Sequence, residues 1–299
     1  MRKLLSNRDL KCCSDVILLK LEIPKQEFSS ASLASTNDLA LKEDMIERLE
    51  SDTIEETRNA ISCAHPFVLF SGGRDSVVTL AIAKRAVEGL DSELVAIHAD
   101  TTIGLSENLE YVKSICESLQ TKLVIVKPDL DFFELARKKG FPRHNARWCC
   151  YELKVDPIMR YLRKIDGEKI VLDGIRAEES RQRTKMTRHS WHRRFACDVF
   201  HPIFFWNRSD VSKYLESHSL TENPLYSKGF RRATECWCGV FKSVEEFRLL
   251  LRSYPEFFEK LVDLESSMRN GGSFLFKKGE KVYLRDLMRE EKSRTLTKP

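Results

Sequence analysis

The run Phe67-Val68-Leu69-Phe70-Ser71-Gly72-Gly73-Arg74-Asp75-Ser76 joins an apolar strand to a glycine turn and then to a helix start, and this junction constrains the fold more than any other part of the chain. Two adjacent glycines let backbone approach a ligand closely, while Ser76 and the first helical amides point toward negative oxygens. The spacing lacks the four residues between a first glycine and a Gly-Lys pair that a Walker loop requires. The bland reading of the same residues is a Ser-Gly-Gly turn that only caps a helix.

From Pro66 onward, short apolar runs alternate with helical patterns. Phe67 to Phe70 precedes Ser76 to Glu88, Leu94 to His98 precedes Ser106 to Ser118, and Leu123 to Val126 precedes Leu130 to Lys139. A helical segment from Glu152 to Arg163 then leads to Lys169 to Leu172, and Val199 to Phe205 leads to Ser209 to Ser217. Such alternation predicts an α/β fold, a parallel sheet with helices on both faces, whose ligands sit beyond the carboxyl ends of the strands. Ser71, Asp100 and Gly174 fall at those ends. Three regions are expected: a mainly helical appendage over 1–60, with a helix from Asp38 to Arg58; a nucleotide-binding domain over 61–220; and a small C-terminal lobe over 221–299. No stretch of 18 apolar residues occurs, and Met1 to Arg8 is not followed by a secretory hydrophobic region, so a soluble, cytoplasmic protein without membrane contact is expected.

Nine cysteines in such a chain read as reduced core residues or metal ligands rather than a disulfide framework. Cys63, Cys116 and Cys197 have apolar neighbours and read as core packing; Cys12-Cys13 has no evident place. Cys149-Cys150 and Cys236-Trp237-Cys238 bring soft thiolates from distant segments, which suits a cubane iron–sulfur cluster or zinc. Neither pair has the two-residue gap of a zinc ribbon. The net charge of +5 is small but uneven: from Gly174 to Arg194 seven arginines and lysines accompany only two glutamates, which marks either a site for an anionic partner or a solvated loop. His189 and His192 within it suit surface or RNA contact better than zinc. Arg143 and His144 stand just before the first cysteine pair, and Phe200, Phe204, Phe205 and Trp206 read as core.

The glycine turn resembles the PP-loop of ATP pyrophosphatases, with Arg74 where lysine is more usual. Gly174-Ile175-Arg176-Ala177-Glu178-Glu179-Ser180 resembles the Gly-x-Arg-x-x-Glu-Ser segment of the phosphoadenosine phosphosulfate reductase family. Pro202-Ile203, Trp206, Asp210, Val211 and Tyr214, then Asn223-Pro224-Leu225-Tyr226 and Gly229, continue that pattern. The resemblance implies the PP-loop, adenine nucleotide alpha hydrolase-like fold, with ATP and Mg2+ as ligands. On it, Ser71, Gly72, Gly73 and Ser76 hold pyrophosphate and Arg74 adds charge at the rim. Asp75 is either a catalytic residue or a helix cap. Asp100 lies near ribose or magnesium unless it serves only as a turn residue. Arg176, Arg181 and Arg183, after Gly174, grip anionic groups, with Glu179 orienting one of them.

The family's cluster-containing members bind [4Fe-4S] through a Cys-Cys pair and a later Cys-x-x-Cys pair. Here Glu235 occupies the first position of the second pair and the thiol has moved to Cys236. This leaves open four ligands (Cys149, Cys150, Cys236, Cys238), three with an open or carboxylate-bound iron, or no cluster at all. The reductases also use a cysteine near the C-terminus as nucleophile, and no cysteine follows Cys238. The expected activity is therefore ATP-dependent adenylation coupled to iron–sulfur-assisted sulfur transfer, with a tRNA base as one acceptor and a sulfur or electron donor protein and a homodimer as expected partners. The alternatives are a sulfonucleotide reductase using an external thiol or Cys12-Cys13, an adenylyltransferase, and a nucleotide- or RNA-binding regulator.

Overall fold

The structure, a computed structural model, describes residues 36–233, 235–268, 271–277 and 279–296. Cys12-Cys13 and most of the expected N-terminal appendage lie outside the described residues. The chain divides into two compact units after Arg48, inside its first helix, and everything below concerns the unit from Leu49 onward.

In chain order the elements are α1 (Thr36–Ile61), β1 (His65–Leu69), α2 (Arg74–Ala86), β2 (Val95–Ala99), α3 (Ser106–Ser118), β3 (Lys122–Val126), α4 (Phe132–Lys139), the short α5 (Trp148–Cys150), α6 (Asp156–Leu162), β4 (Lys169–Leu172), β5 (His189–His192), β6 (Cys197–Phe200), α7 (Arg208–Ser217), α8 (Val244–Ser253), α9 (Pro255–Ser267), β7 (Leu275–Lys277), β8 (Glu280–Val282) and α10 (Leu284–Leu296). The main sheet runs β3-β2-β1-β4-β6-β5. Its strands are parallel except for β5, which pairs antiparallel with β6 at the edge. Val68, Ile97, Val171 and Leu172 are buried because helices cover both faces, so these strands read as continuous apolar runs. Successive strands step outward from β1 in one direction to β3 and then in the other from β4. The crevice between the carboxyl ends of β1 and β4 is therefore the topological switch point where such sheets bind ligands.

Four expectations need correction. The basic segment is not all loop: His189 to His192 forms β5, with His189 opposite Phe200 and His192 opposite Cys197. Its polar composition suits an edge strand, where charge discourages pairing with another chain. Phe205 is 71% exposed rather than core, because β6 stops at Phe200 and the following turn carries Phe205 outward, near Arg188. Cys63 is exposed in the turn between α1 and β1, whereas Cys116 and Cys197 are buried as expected. The helix expected from Glu152 begins earlier, at Trp148, and passes through a π-helical turn over Tyr151–Val155 before α6. Such turns are rare and gather at functional sites.

The C-terminal helices and the β7–β8 hairpin share a core with α4 and α5. Phe247, Phe258, Phe274 and Leu287 pack in one cluster with Phe132, Leu135 and Cys149. Glu265 on α9 is buried there and accepts hydrogen bonds from the backbone N–H groups of Phe274 (3.4 Å) and Leu284 (2.7 Å), which ties hairpin and α10 to α9. Burial pushes its carboxyl up to about 7 from an ordinary 4.5, the amide donors opposing only in part. The native state then holds more protons than the unfolded state between these two values, so stability falls as pH rises through that window, by an amount on the order of 3 kcal/mol. Glu265→Gln is expected to flatten that slope in thermal unfolding followed from pH 4.5 to 8; an unchanged slope would assign it to other groups.

Candidate functional site

The end of β1 turns into α2 through a locked loop. The Gly73 N–H reaches Ser71 Oγ (3.4 Å), the Ser71 hydroxyl donates to Ser76 Oγ (3.1 Å), and Ser76 donates back to the Gly73 carbonyl (2.8 Å). Gly72 has φ +84°, and a Cβ there would stand 2.7 Å from Asn108 Oδ1. Two buried amides hold this loop from outside. Asn108 Nδ2 donates to the Ser71 carbonyl (3.2 Å), and Asn223 Nδ2 donates to the Gly72 carbonyl (3.2 Å) and to Asn108 Oδ1 (2.8 Å). Sequence reasoning missed Asn108. Its signal was a polar residue on the face of α3 that also carries Tyr111, Val112 and Ile115, all buried.

Gly174, past β4, touches the start of α2: a Cβ on it would lie 2.8 Å from the Asp75 carbonyl carbon and 3.0 Å from the Ser76 nitrogen. This contact brings Arg176 to Asp75, Nε to Oδ1 at 2.8 Å, with Arg176 buried and also 3.4 Å from Glu178. Asp75 thus anchors an arginine at the switch point. Arg183 pairs with Glu179, faces Asp75 and Asp173, and is pushed down by burial. Arg181 is exposed.

Arg74 does not point freely at the rim. It pairs with Glu222 (2.7 Å) and lies over the Tyr226 ring (4.1 Å), and the hydrogen bond to Glu222 raises its pKa. Asp100 closes a turn by accepting from the Thr102 N–H (2.9 Å) and pairs with Lys127 (3.0 Å). Burial alone would raise its carboxyl, but Thr102 and Lys127 outweigh burial and hold it below the usual range. His98 is buried and bonded to the Phe70 carbonyl (2.8 Å), a packing role. Asp173 with His201 (2.6 Å) was not foreseen; Asp173 Oδ1 also accepts from the Ile175 N–H and shapes the Gly174 turn.

The two cysteine segments meet. Cys149 bonds to Cys150 and Cys238, and Cys236 bonds to Cys238. By donating, Cys149 and Cys236 are pushed up. Their hydrogen bonds pull Cys150 and Cys238 down, with Lys154 helping at both and Arg147 at Cys150. Lys154 pairs with Glu235 (2.8 Å) beside these thiols. Trp237 is fully buried, and Trp148 donates to the Gly140 carbonyl (3.1 Å) and stacks on Phe132. Among the described residues, no group of three His, Cys, Asp or Glu side chains is arranged to hold a metal ion. The donor set nevertheless fits an iron–sulfur cluster: four sulfurs from two segments, with lysine and arginine beside them and aromatic cover.

One loop joins the two ends of the site. Past Asp100, the Thr101 hydroxyl donates to the Glu235 carbonyl, and the Ile103 carbonyl accepts from the Trp237 N–H (3.0 Å). Gly104 lets this approach occur, since its Cβ would meet the Glu235 oxygen at 3.2 Å. The carboxyl end of β2 therefore carries the second cysteine segment.

Residues 65–238 match the family described as the phosphoadenosine phosphosulfate reductase domain. The chain belongs to this family. An uncharacterized protein of Methanocaldococcus jannaschii is 32% identical over 197 residues, covering 65% of this chain and 46% of that protein. An adenosine 5'-phosphosulfate reductase of Salinibacter ruber is 27% identical over 135 residues, covering 44% of this chain and 52% of that enzyme. The chain thus spans about half the length of these curated relatives. Among solved structures, a phosphoadenylyl-sulfate reductase from Candida auris gives a TM-score of 0.47 at 18% identity, covering 68% of this chain and 96% of that one. A U34-tRNA thiolase from Methanococcus maripaludis, solved with its [4Fe-4S] cluster, gives 0.49 at 13% identity, covering 86% and 82%. No helix among the described residues is long and apolar enough to cross a membrane.

Proposed function

We propose that this member of the reductase family uses ATP to adenylate an acceptor and then transfers sulfur to it from the cysteine site. The observation that carries this reading is the loop from Asp100 to Gly104, which abuts the nucleotide end and binds the segment holding Cys236 and Cys238. The amides at the start of α2, with Ser71 and Ser76, hold the pyrophosphate portion of ATP, and Arg176, set by Asp75, neutralises charge at the α phosphorus. Glu222 keeps Arg74 aside until phosphate competes for it. Asp100 would hold Mg2+ once Lys127 yields. An acceptor oxygen attacks the α phosphorus and the bond to pyrophosphate breaks; sulfide-derived sulfur then attacks the adenylated carbon and AMP departs with the oxygen. A [4Fe-4S] cluster held by three of Cys149, Cys150, Cys236 and Cys238 would leave one iron open to carry the sulfur.

A second reading is favoured by the named relatives, the adenosine 5'-phosphosulfate reductases: reduction of an adenylyl sulfate to sulfite and AMP by an external dithiol. The products separate the two. Incubation with ATP, Mg2+, sulfide and bulk tRNA is expected to release pyrophosphate and to incorporate sulfur into the RNA. Release of sulfite from adenylyl sulfate and dithiothreitol, with no pyrophosphate from ATP, would overturn sulfur transfer in favour of reduction.

A further inference from the structure

Around the cysteine site lies a rim of exposed rings, three of them covered by arginines. Tyr151 follows Cys150 directly and is 38% exposed; Phe241, three residues past Cys238, is 51% exposed; Phe276 is 41% exposed. Arg194 lies 4.9 Å over Tyr151, Arg147 5.7 Å over Phe241 and Arg143 4.5 Å over Phe276. A tight turn, with mutual backbone hydrogen bonds between Arg143 and Ala146 of 3.2 and 3.0 Å, fixes the segment that carries two of these arginines. His144 packs edge-on against Phe241 from the same turn.

Two features distinguish this rim from ordinary surface. Arg74, Arg160, Arg176, Arg183 and Arg188 each pair with a carboxylate, whereas among the described residues no carboxylate pairs with Arg143, Arg147 or Arg194. In addition, residues 143–151, 188–196 and 239–242, which supply most of it, contain no aspartate or glutamate. Unpaired guanidinium planes over exposed rings, repeated three times, offer stacking faces for bases and paired donors for phosphates.

We infer that this rim binds a single-stranded segment of nucleic acid and presents one of its bases to the thiols. The strand's phosphates meet Arg143, Arg147 and Arg194, and its bases stack at Tyr151, Phe241 and Phe276. A duplex keeps its bases stacked inside and cannot use the rings, so single strands are preferred. The inference rests on the sulfur-transfer reading only for the purpose of the bound base.

Fluorescence anisotropy of the full-length protein with labelled 20-nucleotide single-stranded RNA, single-stranded DNA and duplex DNA tests it, without ATP or sulfide. Single strands are expected to bind at least tenfold more tightly than duplex, and the RNA and DNA arms identify which of the two is preferred. Phe241→Ala is expected to weaken binding about tenfold. Arg147→Glu with Arg194→Glu is expected to weaken it further and to lower the dependence on salt by about two counterions. Circular dichroism checks that these surface variants fold, and the salt dependence of the wild type stands apart from any variant. Equal binding of duplex, unchanged affinity in both variants, or tighter binding of polyglutamate than of either single strand would overturn the inference, the last in favour of an acidic protein partner. Strand binding with no pyrophosphate from ATP would sink the sulfur-transfer reading alone; pyrophosphate release with variant-insensitive binding would sink this one alone.

Discussion

Cys238→Ala is expected to abolish bound iron and acid-labile sulfide, with the wild type purified without oxygen carrying about four of each per chain. Cys238 is the hub of the thiol group: it is buried and accepts from both Cys149 and Cys236, so its loss removes the contact that joins the two cysteine segments. Cys149→Ala is expected to do the same from the other side. Cys197→Ala is the control, because Cys197 is buried in a separate cluster with Phe67 and Val171 and touches none of the four thiols. The measurement is iron, zinc and sulfide per chain with the visible spectrum, beside thermal unfolding. Iron retained in Cys238→Ala would exclude it as a ligand. One tightly held zinc in the wild type would replace the cluster with a structural metal.

The parts of this fold that were legible in the sequence are those with one dominant physical cause. The inner residues of β1, β2 and β4 are sealed on both faces, so apart from His98 they appear as apolar runs, and the glycine turn announces itself because only glycine allows φ +84° beside Asn108. β5 escaped because His189, Ser190, Trp191 and His192 lie at an exposed edge where nothing imposes an apolar alternation. The role of Arg74 was legible only by charge; its pairing with Glu222 depends on a loop more than a hundred residues away. The same limit applies to the thiols. Their residue type pointed to metal chemistry, but their meeting depends on Thr101, Ile103 and Gly104, which carry no motif and act through backbone contacts.

Gly174→Ala is expected to weaken ATP binding at least tenfold, a loss of about 1.4 kcal/mol, while leaving iron content at the wild-type level. The added methyl would meet the Asp75 carbonyl carbon at 2.8 Å, its oxygen at 2.9 Å and the Ser76 nitrogen at 3.0 Å, all backbone atoms of the first turn of α2. No side chain can swing away, so either α2 or the end of β4 must shift, and overpacking of this kind costs about 1–3 kcal/mol. A shift moves the first amides of α2, which are proposed to hold the nucleotide, and stretches the buried pair between Arg176 and Asp75. Gly73→Ala separates crowding from simple loss of glycine: its φ is −83°, and a Cβ there meets nothing closer than Ser71 Oγ at 3.5 Å. That variant is expected to unfold at the wild-type temperature, whereas Gly174→Ala unfolds several degrees lower. Isothermal titration with a non-hydrolysable ATP analogue, beside thermal unfolding, reads both effects. Wild-type affinity in Gly174→Ala would mean that the nucleotide does not depend on the junction of β4 with α2, and the switch-point site would have to be given up, whatever the cysteines bind.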